Sequence, residues 1–248
     1  MEKYFFFIAF ALNLTLPLSA QKNCTPKAWT DEILLTEESK PLPLEDLKKY
    51  NFTNILMDNN TCYLGYIGDD YQRLYIYITE IEKISATDYI IKGESKVKDN
   101  VCNFSGTIKI GALRKLNQLY FGVDDEMEGQ VKEQGYIIAE FSLQEDKNQS
   151  SSGEFTGRMV SYWYKNEKNE LLYDDLMSHA DGYCNNQYLG TWKSYRTSKS
   201  KKCAWGQYRI PCSGDLDMGV AEFSVNPVYE DKGWKAVDEY DYCIEIME

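Results

Sequence analysis

Apolar and polar side chains alternate along the chain from Tyr63 onward, and that two-residue period predicts β-strands. Leu74, Ile76 and Ile78 fall on one side of a strand, with Tyr75 and Tyr77 on the other. Tyr89-Ile90-Ile91-Lys92-Gly93 predicts a second short strand. Ile137, Ala139, Phe141 and Leu143 alternate cleanly within 135–143, as do Tyr240, Tyr242, Ile244 and Ile246 near the C-terminus. Further strands are expected over 119–123, 159–164 and 218–223. Polar connections separate them at Asp124-Asp125-Glu126, 145–153 and 197–202. The 145–153 stretch carries Ser150-Ser151-Ser152 and reads as a hairpin loop between strong strands, although its composition would also suit a domain boundary. Residues 171–177 could turn once or twice as a helix.

An internal rhyme runs through this pattern. Phe104-Ser105-Gly106, Phe155-Thr156-Gly157 and Tyr188-Leu189-Gly190 repeat an aromatic-x-Gly spacing, and Tyr63-Leu64-Gly65 is a looser copy. In a strand the two outer positions share a face, where the missing side chain leaves room for a neighbouring ring or permits a bend. Such a device suits a curved antiparallel meander. The expected fold is therefore all-β, a barrel-like meander or a β-sandwich, whose inward side chains either fill a core or line a cavity. Gly190-Thr191-Trp192 resembles the Gly-x-Trp element that marks the first strand of lipocalin-like barrels. Here most strand-rich sequence precedes it and no second motif joins it, so no family is assigned.

The residues before Tyr63 read differently. Lys3 precedes the apolar run Tyr4–Leu12, and Leu16-Pro17-Leu18-Ser19-Ala20 precedes a polar stretch. Residues 1–20 are thus expected to be a signal peptide, which makes the chain secreted or periplasmic. Leu18 departs from the small residue preferred three positions before the cut. Cys24 raises lipid anchoring, but Gln21-Lys22-Asn23 lacks the small, apolar approach of a lipidated cysteine. No later segment is long enough for a transmembrane span. Residues 21–60 look peripheral, with Pro41-Leu42-Pro43-Leu44 extended or turning, while 44–50 could make a short helix whose first turn carries Glu45 and Asp46. Residues 61–248 form the predominantly β domain.

Composition narrows the partners. The net charge of −12 repels phosphate backbones and favours cationic partners, so nucleic acid is not expected as a ligand. The one basic group, Lys193, Arg196, Lys199, Lys201 and Lys202, reads as a solvated turn. The seven cysteines all follow residue 20 and allow three disulfides with one left over. The expected pairs are Cys203 with Cys212, Cys62 with Cys102 and Cys184 with Cys243, leaving Cys24 unpaired near a terminus. No CxxC occurs and there is one histidine, so zinc is not expected. The Asn-x-Ser/Thr triplets at Asn23, Asn51, Asn59, Asn103 and Asn148 are glycan acceptors in a eukaryotic secretory pathway.

Candidate chemistry is sparse. Ser178-His179-Ala180-Asp181 holds nucleophile, base and acid types, but adjacency in sequence does not build a relay and no nucleophile elbow accompanies it. The Asp124, Asp125, Glu126, Glu128 cluster and Asp215-Leu216-Asp217 lack calcium-loop spacing. No catalytic, metal or cofactor residue is assigned. For binding, Trp163, Trp192, Trp205 and Trp234 are the aromatic anchors, with Asp124, Asp125, Asp174 and Asp175 as the acids beside them. The expected function is noncovalent binding, in one form inhibition of a cationic extracellular or periplasmic protein. Small-ligand or carbohydrate binding is the alternative, and a secreted hydrolase ranks behind both.

Overall fold

The computed structural model describes residues 24–36, 38–58 and 60–235. The signal-peptide stretch, Asn23, Asn59, Cys243 and the strand expected at 240–246 lie outside them. The strands are β1 (Ser39–Leu42), β2 (Tyr63–Ile67), β3 (Gln72–Arg73), β4 (Tyr75–Lys83), β5 (Asp88–Val97), β6 (Asn100–Leu116), β7 (Val131–Glu145), β8 (Gly153–Asn166), β9 (Leu171–Tyr173), β10 (Asn185–Ser194) and β11 (Ser200–Gln207). They form a single sheet in the order β3-β2-β11-β10-β8-β7-β6-β5-β4, antiparallel throughout.

The two ends of that order are consecutive pieces of one segment. Only Leu74 separates β3 from β4, and its N–H donates to Gly65 O at 2.9 Å. The sheet therefore curls until its edges meet, giving a barrel-like meander and not two facing sheets. Beyond Lys109 the long β6 outruns β5, and β1 takes over as its partner from Leu113 to Leu116. Beyond Val160, β8 outruns β10 and pairs with β9 instead. Both extensions satisfy backbone groups that a strand overhang would leave unpaired.

The alternation in the sequence sets what fills the interior. One register row runs Ile108, Phe141, Gly157, Gly190, Cys203 and Ile67 across five ladders. The two glycines sit side by side because the Phe141 ring lies over both. A Cβ on Gly157 would come within 2.8 Å of Phe141 Cζ and 2.2 Å of Leu189 O. Phe141, Phe155 and Tyr188 then pack around Trp205, with Tyr188 stacked on it at 4.9 Å between centroids. The aromatic-x-Gly rhyme is thus a packing device that lets large rings occupy a narrow barrel.

Residues 44–57 correct the expectation of a peripheral segment. A 3-10 turn at Leu44–Lys49 and the single-turn helix α2 (Thr53–Leu56) bury Leu47, Phe52, Ile55 and Leu56 in the barrel core. They stopper one end of it. Asn186 Nδ2 donates to Ile55 O at 2.9 Å, and Lys83 Nζ donates to the carbonyls of Leu47 and Tyr50. The plug's backbone is thereby anchored to the strand ends around it. α1 itself (Pro26–Leu35), capped by the Thr25 hydroxyl, covers the outer face of β7 and β8 with Trp29, Ile33 and Leu34. The segment 210–234 covers the outer face of β2, β10 and β11 with Ile210, Leu216 and Trp234.

The disulfides differ from the expected set. Cys24 bonds to Cys212, 188 residues away, and so joins the start of α1 to the C-terminal cover. Cys203 cannot bond to Cys212, since it points into the barrel while Cys212 packs outside the sheet. Cys102, Cys184 and Cys203 are unbonded, which removes the Cys62–Cys102 and Cys184–Cys243 pairs as well; Cys62 is disulfide-bonded. Two strand expectations also fail. Residues 117–130 arch between β6 and β7, and 218–223 form a loop closed by an Asp217–Val225 bridge. Residues 171–173 are strand β9 and not a helical turn.

Among the described residues no helix is long and apolar enough to cross a membrane.

Candidate functional site

The barrel has one stoppered end and one open end. At the open end lie the turns 68–71, 98–99, 146–152 and 195–199, and a cleft of about 620 Å³ opens between them. Ile67, Val97, Phe155 and Trp192 give it apolar walls, while Gln72, Ser95, Asn100, Glu145 and Ser151 add polar groups. Lys98, Lys201, Asp70 and Asp99 stand at its rim. Inward positions that are apolar in mid-barrel turn polar near the mouth, as in Phe141-to-Glu145 on β7 and Ile91-to-Ser95 on β5, where Val97 follows on the same face. That change of inward polarity is the signal by which the sequence could have located the cleft.

Glu145 is the central group. It ends β7, is 5% exposed, and gathers donors from three other strands. Ser95 Oγ donates to its Oε1, Trp192 Nε1 donates to Oε2 at 2.9 Å, and Gly153 N donates to Oε2 at 2.6 Å. Gly153 is required there, because a Cβ would meet the Trp192 ring at 2.6 Å. Burial raises the carboxyl pKa against these three stabilising bonds, and among the described residues no cationic side chain offsets it. Two inward thiols lie nearby on β6 and β11, Cys102 and Cys203, and burial raises both of their pKa values. A thiol so shifted is a poor nucleophile.

The structure distributes the expected binding residues unequally. Trp163, Trp205 and Trp234 are completely buried, the first two inside the barrel and the third beneath the C-terminal cover, so none is a surface anchor. Trp192 alone of the four lines the cleft. The acids lie toward the opposite end. Asp124 and Asp125 are exposed on the β6–β7 arch. Asp174, after β9, is buried; Gln134 Nε2 donates to it at 3.2 Å, and burial pushes its pKa to about 6. Asp175 beside it is exposed. His179 is exposed and makes no hydrogen bond with the described residues, and no group of three metal-ligating side chains occurs among them. Sequence reasoning missed Glu145, Ser95 and Phe155.

Comparison with protein-family models, with curated proteins and with solved structures finds no match to this chain.

Proposed function

We propose that the chain is an exported carrier or sensor that binds a small molecule in the open mouth of its barrel. The observation that carries this is the cleft itself. Its volume of about 620 Å³ falls within the range of small-molecule sites, and it combines a few apolar walls with convergent polar groups. The packed half of the barrel below Phe155 and Trp205 gives it a rigid floor. The Cys24–Cys212 disulfide and the leader-like residues 1–20 support an oxidising compartment outside the cytosol. Inhibition of a cationic protein by tryptophan anchors has less support, since three of the four tryptophans are core residues.

The test is titration of the purified chain with Nile red, an uncharged probe that fluoresces in apolar surroundings. Saturable one-to-one binding is expected. Val97→Trp, which narrows the mouth from the end of β5, should weaken it by about tenfold or more, a loss equivalent to ~1.4 kcal/mol. Absence of saturable binding, or binding indifferent to Val97→Trp, refutes the proposal.

A further inference from the structure

The charges around the mouth are not evenly matched. At the rim, Lys98 and Lys201 share the lining with Asp70 and Asp99, so two cations face two anions in water. Glu145 lies deeper, with Ser95, Trp192 and Gly153 as its partners. All three are neutral donors. They orient the carboxylate but bring no countercharge, and no lysine or arginine pairs with it among the described residues. A buried carboxylate in that state keeps most of its desolvation cost. A ligand that brings a positive charge to it removes that cost, whereas an anionic ligand adds to it.

The neighbouring walls suit the same ligand. Trp192, held by its own hydrogen bond to Glu145, and Phe155 beside it in register offer aromatic surface within the cleft. Aromatic rings attract a desolvated ammonium as well as an apolar body. On the reading that the mouth binds a small molecule, we infer that its ligand is a primary amine with an apolar or aromatic body. The ammonium is set at Glu145 and the body lies against Phe155 and Trp192.

Three probes of one shape test this by calorimetry on the purified chain: 2-phenylethylamine, 2-phenylethanol and 3-phenylpropanoate. The amine should bind about tenfold or more tightly than the other two, the range of a charge-assisted bond. Glu145→Gln keeps an acceptor for Trp192 and Gly153 and a partner for Ser95, so it removes the charge and little else. It should abolish the amine's advantage over the alcohol and the acid. Lys201→Met should leave the advantage in place. Equal affinities, a preference for the acid, or an amine preference that survives Glu145→Gln would each overturn the assignment. Nile red binding without any binding of the three probes would also overturn it, while sparing the cleft as a binding site. Loss of Nile red binding as well would remove both readings.

Discussion

At the scale of single residues, the interior is decided by where side chains are missing and where charge is buried. Gly157 and Gly190 are neighbours in register beneath the Phe141 ring. A methyl at Gly157 would also run into the Leu189 carbonyl, so the strand itself must shift to admit it. Gly157→Ala should therefore cost about 2 kcal/mol or more, read from the denaturation midpoint, and a near-native midpoint would contradict the packing described. Asp174 makes a different prediction, tied to pH. Its carboxyl titrates normally near 3.8 but near 6 in the fold, where burial outweighs the bonds from Gln134 and Leu176 N. Between these values the folded state holds the proton more tightly than the unfolded chain. Asp174 thus favours folding below pH 3.8, and that contribution is lost as pH rises through about 6. Relative to the native chain, Asp174→Asn should gain about 2 kcal/mol of stability on going from pH 4 to pH 7. The bonds from Gln134 and Leu176 N, which favour the carboxylate, are already contained in the net shift. Urea titrations at the two pH values check it; a pH-independent difference rules it out.

Among the elements, the least expected is the plug. Leu47, Phe52, Ile55 and Leu56 are all buried, yet no helical or strand period links them. A 3-10 turn, the short link after it and one helical turn each aim a side chain at the same opening, which only the closed sheet creates. Phe52→Ala should cost about 3–5 kcal/mol, as for a core aromatic, and the loss should appear in global unfolding and not as local fraying. A truncation that behaves like a surface change would return the segment to the periphery. The strands, by contrast, were legible wherever one face is apolar, because a two-residue period survives any choice of partner. Failures came where that period was short. The 119–123 and 218–223 stretches have apolar residues but no ladder neighbour, while α1 hides in a mixed sequence that only the β7–β8 face makes amphipathic. Disulfide pairing was not legible either, since Cys24 and Cys212 meet only because both covers lie outside the same sheet. Of the site, only Trp192 was singled out in the sequence; Glu145 was hidden as the first residue of a polar loop, although it occupies the last inward rung of β7.

The whole molecule depends on closure, and the seam is its narrowest joint. β7 and β8 exchange a long ladder, whereas β2 meets β3 at only two register pairs, Tyr66 with Arg73 and Ile67 with Gln72, extended by the Leu74 bond to Gly65. Arg73 reinforces that joint from within. Its guanidinium donates to the carbonyls of Gly65 at 3.3 Å and Tyr63 at 3.2 Å, and it lies between the rings of Tyr75 and Trp234, 4.5 and 4.4 Å from their centroids. One side chain thus ties β2 to the β3–β4 segment and to the C-terminal cover, while Trp234 Nε1 donates to Tyr71 O at 2.7 Å in the adjoining turn. Stability in such a fold is not uniform: the joint with the fewest ladder bonds opens at the lowest free energy unless other contacts hold it. Arg73→Met keeps much of the buried volume and removes the bonds to both carbonyls. Amide exchange in β2 and β4 should then accelerate by about tenfold or more, the equivalent of losing ~1.4 kcal/mol, while protection in β7 and β8 stays near its native level. The cleft should feel the same change, because Ile67 and Gln72 belong to both the seam and the lining. Nile red affinity is therefore expected to fall in parallel. Uniform acceleration across all strands would mean instead that the barrel opens as one cooperative unit and that the seam has no separate weakness.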